Sequence, residues 1–223
     1  MEQKNIDYLR KFILFSSMDD KDLARIKELL IMKKYSPGEV IFMAGEKGDN
    51  VYFLKRGTVK ITRTSRSGDE QILEILRSGD VFGEVVLFGI PEYPANAETA
   101  CEVEVESLSR EKFRRFFHNN PEIGWGMMEV MARKLARSQH KIENLGLRNT
   151  KGRIARLLLD IVRDFGAENN VSLELNQEEL ASFIGTTRET VSRTLSEFKK
   201  QDIISVSGNR FTILDREKLE EML

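Results

Sequence analysis

Cysteine is nearly absent from this chain, with Cys101 the only one in 223 residues. One thiol excludes an intramolecular disulfide framework, an all-cysteine zinc site and an iron–sulfur cluster held by a cysteine set. Histidine is scarce as well, with only His118 and His140 available as imidazole ligands. Long apolar runs are missing. Phe12-Ile13-Leu14-Phe15 is too short for a signal-peptide core, and no run approaches the ~20 residues of a membrane-spanning helix. A cytoplasmic chain with no membrane partner is expected. Neither sign of charge is in excess: 35 Lys+Arg stand against 36 Asp+Glu, a net charge of -1. Taken in bulk, that balance points away from nucleic acid. No nucleophile–base pair, metal-ligand spacing or Walker-type loop is found, so an enzyme is not expected. What is present is 40% hydrophobic and 32% charged residues, the composition of a chain that buries a real core, and a length that favours two domains.

Residues 8 to 32 have a helical pattern, with Asp19 or Asp20 as a cap for a helix carrying Leu23, Ile26, Leu29 and Leu30. From about 35 to 108, short β-branched and aromatic runs alternate with glycine turns such as Arg56-Gly57, Ser67-Gly68-Asp69 and Ser78-Gly79-Asp80. Turns about every 8–12 residues predict a compact all-β unit. The clearest strand is Ala100 to Glu106, with Cys101, Val103 and Val105 facing the core and Glu102, Glu104 and Glu106 facing out. After Asn120-Pro121 a long helix is expected. Met128, Met131, Leu135, Ser138, Ile142 and Leu145 follow the rhythm of a two-stranded coiled coil. A second stripe, Ile123, Met127 and Val130, supplies a contact with the β unit. Two apolar stripes mean two partners, one of them a second copy of the chain. A domain boundary is placed near 146–150.

Residues 177 to 198 carry the pattern of a helix-turn-helix. A first helix, Gln177 to Ile184, points Leu180 and Ile184 inward. Gly185 supplies the positive φ of a tight helix end. Thr186 or Thr187 caps a second helix whose Val191, Leu195 and Phe198 form the inner face. The opposite face holds Arg188, Glu189, Ser192, Arg193 and Ser196. Arginine forks onto guanine and glutamate accepts from the cytosine amino group, so this face suits a major-groove reader. The alternative is a solvated face with a Glu189–Arg193 pair. Ile203 to Val206 and Arg210 to Ile213 flank Ser207-Gly208-Asn209, a wing hairpin. Lys199, Lys200 and Arg210 are candidate phosphate contacts. Between 186 and 210 five basic residues face three acidic ones, so a locally basic reading surface is hidden inside the balanced total.

With these motifs in place, the chain resembles the CRP/FNR family of transcription regulators over essentially its whole length. The resemblance is carried by Arg77-Ser78-Gly79-Asp80-Val81-Phe82-Gly83-Glu84, by Met131-Ala132-Arg133-Lys134-Leu135 with Gly152-Arg153-Ile154-Ala155, and by Arg188-Glu189-Thr190-Val191-Ser192-Arg193. It implies an α+β fold: an N-terminal double-stranded β-helix, the jelly-roll-like β-roll, then a long dimerisation helix and a C-terminal winged helix-turn-helix. The expected divisions are 1–120 for effector sensing, 121–147 for the dimer helix and hinge, and 148–223 for DNA binding. It also implies a homodimer on a palindromic DNA site, with RNA polymerase a further partner and the loop from Asp164 to Asn170 a candidate contact. Glu189, Ser192 and Arg193 match members that read TTGA-type half-sites, and Arg188 matches those reading TGTGA-type half-sites. A TGA core in each half follows, with Thr187 beside these residues.

The departures from the family bear on the effector. The family's pocket corresponds to Gly83, Glu84, Tyr93, Pro94, Ser138 and Gln139. Where cyclic-AMP-binding members carry an Arg-Ser phosphate clamp, this chain has Tyr93-Pro94. Neither supplies a cation, and a buried phosphate without one is costly. An unidentified small-molecule effector other than cyclic AMP is expected. A haem-based gas or redox sensor of the same family, using His118, His140, Cys101 or methionines as ligands, is the alternative, and a regulatory module for another protein is a further one.

Overall fold

The computed structural model describes residues 6–66, 68, 70–147, 149–165, 170–172, 176–207 and 210–223. The chain divides into two compact units, residues 1–63 with 73–137, and residues 64–72 with 138–223. Among the described residues no helix is long and apolar enough to cross a membrane.

The first unit opens with two 3-10 turns, Asp7–Lys11 and Ile13–Phe15, followed by α1, Asp20–Leu29. Asp19 caps α1, its carboxylate accepting from the Asp22 amide at 2.8 Å and so satisfying an otherwise orphaned donor. The helical pattern expected to reach residue 32 stops at Leu29. Ile31–Tyr35 forms β1 instead, because its backbone pairs antiparallel with β8, Val103–Ser109. Between them run β2 (Val40–Phe42), β3 (Asn50–Arg56), β4 (Thr58–Thr64), β5 (Glu70–Arg77), β6 (Val81–Phe82) and β7 (Asn96–Thr99). They form two four-stranded sheets in the orders β1-β8-β3-β6 and β2-β7-β4-β5.

The period-2 geometry of β3 explains where the core sits. Val51 and Phe53 point into a cluster with Leu9, Phe12, Phe15, Leu23, Ile26 and Phe113. Tyr52 and Leu54 point the other way, into a cluster with Phe42, Val59, Phe82, Tyr93 and Val105. One strand thus serves two cores, which is why it is apolar at four consecutive positions rather than alternating.

The strand expected at Ala100 to Glu106 lies slightly later, as β8. Val103 and Val105 are buried as expected, while Cys101 precedes the strand, is half-buried, and accepts from the Thr58 amide at 3.3 Å. Glu106 departs from the expectation: it is fully buried. The N-terminal turns and α1 cover that face of the sheet and bring the Lys27 ammonium and the Tyr8 hydroxyl onto the carboxylate, the latter at 2.5 Å. A buried carboxylate is tolerable only with such partners.

Two helices follow, α2 (Arg110–Asn119) and α3 (Ile123–Leu147). Ile123, Met127 and Val130 are buried, the contact expected of the second stripe. Met131, expected on the dimer seam, is half-buried and packs partly against the core cluster.

The second unit contains α4 (Thr150–Phe165), β9 (Asn170–Ser172), α5 (Gln177–Ile184), α6 (Arg188–Lys200), β10 (Ile204–Ser207), β11 (Arg210–Ile213) and α7 (Arg216–Glu220). β10 and β11 pair antiparallel as the expected wing, and β9 adds a third strand in the order β10-β11-β9. That third strand was not anticipated, and it begins at Asn170, the last residue of the expected loop. Residues 208–209 and 166–169, expected as the wing turn and most of the candidate polymerase loop, lie outside the described residues. Within this unit the Ser182 hydroxyl on α5 donates to the Glu70 carbonyl at 2.6 Å and accepts from the Ile72 amide at 3.0 Å.

Candidate nucleic-acid interface and effector pocket

The turn between α5 and α6 is specified by local chemistry. Asn176 caps α5 by accepting from the Glu178 and Glu179 amides, and Glu179 returns the bond to the Asn176 amide at 2.9 Å, completing a capping box. At the other end Gly185 is left-handed, with φ 73°, and its amide donates to the Ala181 carbonyl at 2.9 Å. A side chain there would strain the backbone. Thr187 then caps α6, its hydroxyl accepting from the Thr190 amide at 3.3 Å.

Val191, Thr194, Leu195 and Phe198 are buried, which turns the other face of α6 to solvent. Thr187, Arg188, Glu189, Arg193, Lys199 and Lys200 are exposed and Ser192 is half-exposed on that helix or at its cap. Among the described residues no ion pair joins Glu189 to Arg193 across this solvated face. The Glu189 carboxyl is held below the usual carboxylate range, first by its own backbone amide at the helix N-terminus and then by the Thr187 hydroxyl. Glu197 is turned away from the reading face and paired with Lys151 of α4. The side chain of Arg210 lies outside the described residues.

Sequence reasoning missed how this motif is braced. Arg153, on the first turn of α4, donates through Nη1 to the carbonyls of Ile184 at 3.0 Å and Gly185 at 3.4 Å. Its Nη2 donates to the Thr150 hydroxyl at 3.2 Å, and its Nε is buried without a partner. A guanidinium therefore meets the negative end of the α5 dipole at the turn that launches α6. The only signal for this was the Gly152-Arg153-Ile154-Ala155 match, which says nothing about what the arginine touches.

In the first unit Gly83 is left-handed with φ 71°, and an added Cβ would meet the Asn50 carbonyl at 3.1 Å and the Tyr93 ring at 3.2 Å. That conformation opens a 3-10 turn, Glu84–Phe88, and buries Glu84. The Lys134 ammonium of α3 pairs with Glu84 at 3.1 Å, and Arg137 reaches Glu74 at 3.3 Å and Asp80 at 3.6 Å. Tyr93 is buried, its ring stacked on Phe42 at 3.8 Å between centroids and 14° between planes. Its hydroxyl donates to the Asn50 carbonyl at 2.8 Å. Burial pushes its phenol pKa up, so this position, read from sequence as lacking a cationic phosphate clamp, holds a neutral aromatic. Pro94 is exposed, and its carbonyl accepts from Arg63 at 2.5 Å. Ser138 and Gln139, grouped with this pocket from sequence, belong to the second unit and are exposed on α3. No group of three or more His, Cys, Asp or Glu able to hold a metal occurs among the described residues.

Along α3, Met128, Leu135 and Ile142 are 54%, 62% and 71% exposed, at seven-residue intervals. Trp125, not anticipated from sequence, extends the same stripe and is 76% exposed. Ser138 is exposed too, while the side chain of Leu145 lies outside the described residues.

Comparison with known proteins bears on both regions. The model of the Crp-like helix-turn-helix domain matches residues 152–222, and that of the cyclic nucleotide-binding domain matches residues 32–120. The chain is 31% identical over 210 residues to the CRP-like cAMP-activated global transcriptional regulator of Mycobacterium tuberculosis, covering 92% of this chain and 94% of that protein. It is 31% identical over 186 residues to the cAMP-activated global transcriptional regulator CRP of Salmonella typhimurium, covering 81% of this chain and 88% of that protein. The solved structure of FixK2 from Bradyrhizobium japonicum shares the fold with a TM-score of 0.80 at 24% identity, over 86% of this chain and 96% of that one. This chain therefore belongs to the CRP/FNR family of DNA-binding transcription regulators, not to a family of enzymes, and carries that family's cyclic nucleotide-binding domain.

Proposed function

We propose that the chain is a cytoplasmic, homodimeric regulator that reads a palindromic operator with a TGA core in each half-site. The observation carrying this reading is the outward face of α6, where Arg188, Glu189 and Arg193 are exposed and free of ion pairs among the described residues. In this reading Arg193 and Arg188 fork onto guanine, Glu189 accepts from the cytosine amino group, and Ser192, Thr187, Lys199, Lys200 and Arg210 contact base edges or phosphates. The exposed stripe of Trp125, Met128, Leu135 and Ile142 supports pairing of α3 with a second copy. Such pairing sets two recognition helices ~34 Å apart, in successive major grooves. Residues 1–120 then sense the effector, 121–147 pair and hinge, and 148–223 bind DNA, with RNA polymerase the partner addressed next.

The effector is a small molecule other than cyclic AMP. The relatives named cAMP-activated leave that ligand available by kinship. Against it stands the stacking of Tyr93 on Phe42 where a cationic clamp is needed, and the commitment of Lys134 to Glu84. The effector shifts the balance between two packings of the α3 pair.

Anisotropy of a labelled palindromic duplex tests the DNA reading. Arg193→Ala costs about 1–3 kcal/mol of operator binding per lost bidentate contact while non-specific binding persists. A variant that selects the same operator from a random pool overturns the assignment. Calorimetry with cyclic AMP tests the second part, and micromolar binding that tightens operator affinity refutes it.

A further inference from the structure

A second concave site lies in the first unit, away from the Gly83–Glu84 turn. A cavity of about 220 Å³ sits where the first 3-10 turn crosses the ends of β3 and β5, lined by Tyr8, Lys11, Phe12, Lys55, Arg56 and the Ser78–Gly79 turn. Its volume equals roughly seven waters at ~30 Å³ each, room for a compact metabolite and too little for a macromolecule.

Charge distinguishes this cavity. Three cations, Lys11, Lys55 and Arg56, border it; among the described residues none forms a close ion pair with a carboxylate, although Lys55 and Arg56 lie near enough to Glu104 to lower its carboxyl pKa. The one acid on the lining, Glu104, is already paired with Lys34 at 2.8 Å. The Lys55 ammonium lies 4.7 Å from the centre of the Tyr8 ring. Tyr8 in turn is fixed by the hydroxyl it donates to buried Glu106 at 2.5 Å. Phe12, only 1% exposed, makes the inner wall apolar, which strengthens any electrostatic contact made against it. Three cations against the single Glu104 carboxylate leave the lining with an excess of two positive charges, in a chain whose net charge is -1, and a bound anion would offset that excess.

We propose that this cavity binds a small organic phosphate. A phosphate is close to dianionic at neutral pH and presents three acceptor oxygens. That charge balances the excess of two on the lining, and the oxygens suit the Arg56 fork and two ammonium groups. The Tyr8 ring and Phe12 accept the organic part. None of its lining residues is among those assigned to DNA reading or to the Gly83–Glu84 turn.

The test is calorimetric titration of the full-length protein with phenyl phosphate at low salt, with phenol as the uncharged control. Saturable binding of one phenyl phosphate per chain is expected, with none of phenol. Lys55→Gln and Arg56→Gln each weaken it roughly tenfold, and Lys33→Gln, a cation outside the lining, leaves it unchanged. Circular dichroism and unchanged operator affinity verify that the variants fold. Absence of saturable binding, equal binding of phenol, persistence in the Lys55→Gln/Arg56→Gln double variant, or displacement of the probe by non-specific DNA overturns the proposal.

Discussion

Replacing Arg153 with methionine tests whether the brace behind the helix-turn-helix serves DNA reading or only folding. The guanidinium makes two bonds to carbonyls at the end of α5 and one to Thr150. Hydrogen bonds to a charged group contribute about 1.5–3 kcal/mol each when well formed, but the 3.4 Å bond to Gly185 is long and counts for less. Interaction with the α5 dipole adds about 0.3–1 kcal/mol. In the opposite direction, methionine removes a desolvated charge and the partnerless Nε, which returns about 1–3 kcal/mol. The net expectation is a loss of about 1–3 kcal/mol in urea unfolding. The operator affinity of the folded protein should drop roughly tenfold, because the Gly185–Thr187 turn no longer holds a fixed launch angle for α6, and ~1.4 kcal/mol of misplacement is a factor of ten. Arg153→Lys keeps the charge but not the fork and should fall between the two. Anisotropy against operator and random duplexes separates the effects. If the methionine variant is destabilised yet binds operator as tightly as the parent, the brace is structural only. If it is more stable, the buried Nε outweighs the bonds and the energetic argument is wrong.

Lys27→Met should destabilise the fold by about 3–5 kcal/mol, since it strands the fully buried Glu106 carboxylate with only Tyr8 as donor; the double variant Lys27→Met/Glu106→Leu should recover most of that in thermal melts. The phenols of Tyr8, Tyr35, Tyr52 and Tyr93 are all pushed above their ordinary value, with burial the largest cause. The folded state therefore holds these protons more tightly than the unfolded chain. The stability they contribute is complete below pH 10.0, the ordinary tyrosine value, and is lost as pH rises beyond it; tyrosinate absorbance should rise together with unfolding, and free titration of all four in a folded protein contradicts this. Leu135→Glu, at a 62% exposed position, should leave the melting temperature of the monomer fold nearly unchanged but shift sedimentation from dimer to monomer and weaken operator binding; an unaltered dimer excludes that stripe as the seam.

The motif from Asn176 to Lys200 was legible because each of its signals is local. A capping box, a left-handed glycine, a second cap and a 3.6-residue apolar stripe all lie within one or two turns of the residues they organise. The exposed α3 stripe was legible for the same reason, although Trp125 was overlooked and Met131, read as a seam position, also packs partly against the core of its own unit. Long-range partners were not legible. Glu106 alternates in sequence like an outward residue, and only its meeting with Lys27, 79 positions away, makes burial affordable. Arg153 reaches carbonyls 31 and 32 positions on, and Tyr93 stacks on Phe42, which comes from the distant strand β2. By itself the sequence determined most of the helices and strands and which face of α6 is turned outward, because propensity, capping and periodicity act over a few residues. Tertiary structure alone decided which charges are buried, how α6 is braced and what Tyr93 stacks on, because those depend on groups far apart in the chain sharing one desolvated space.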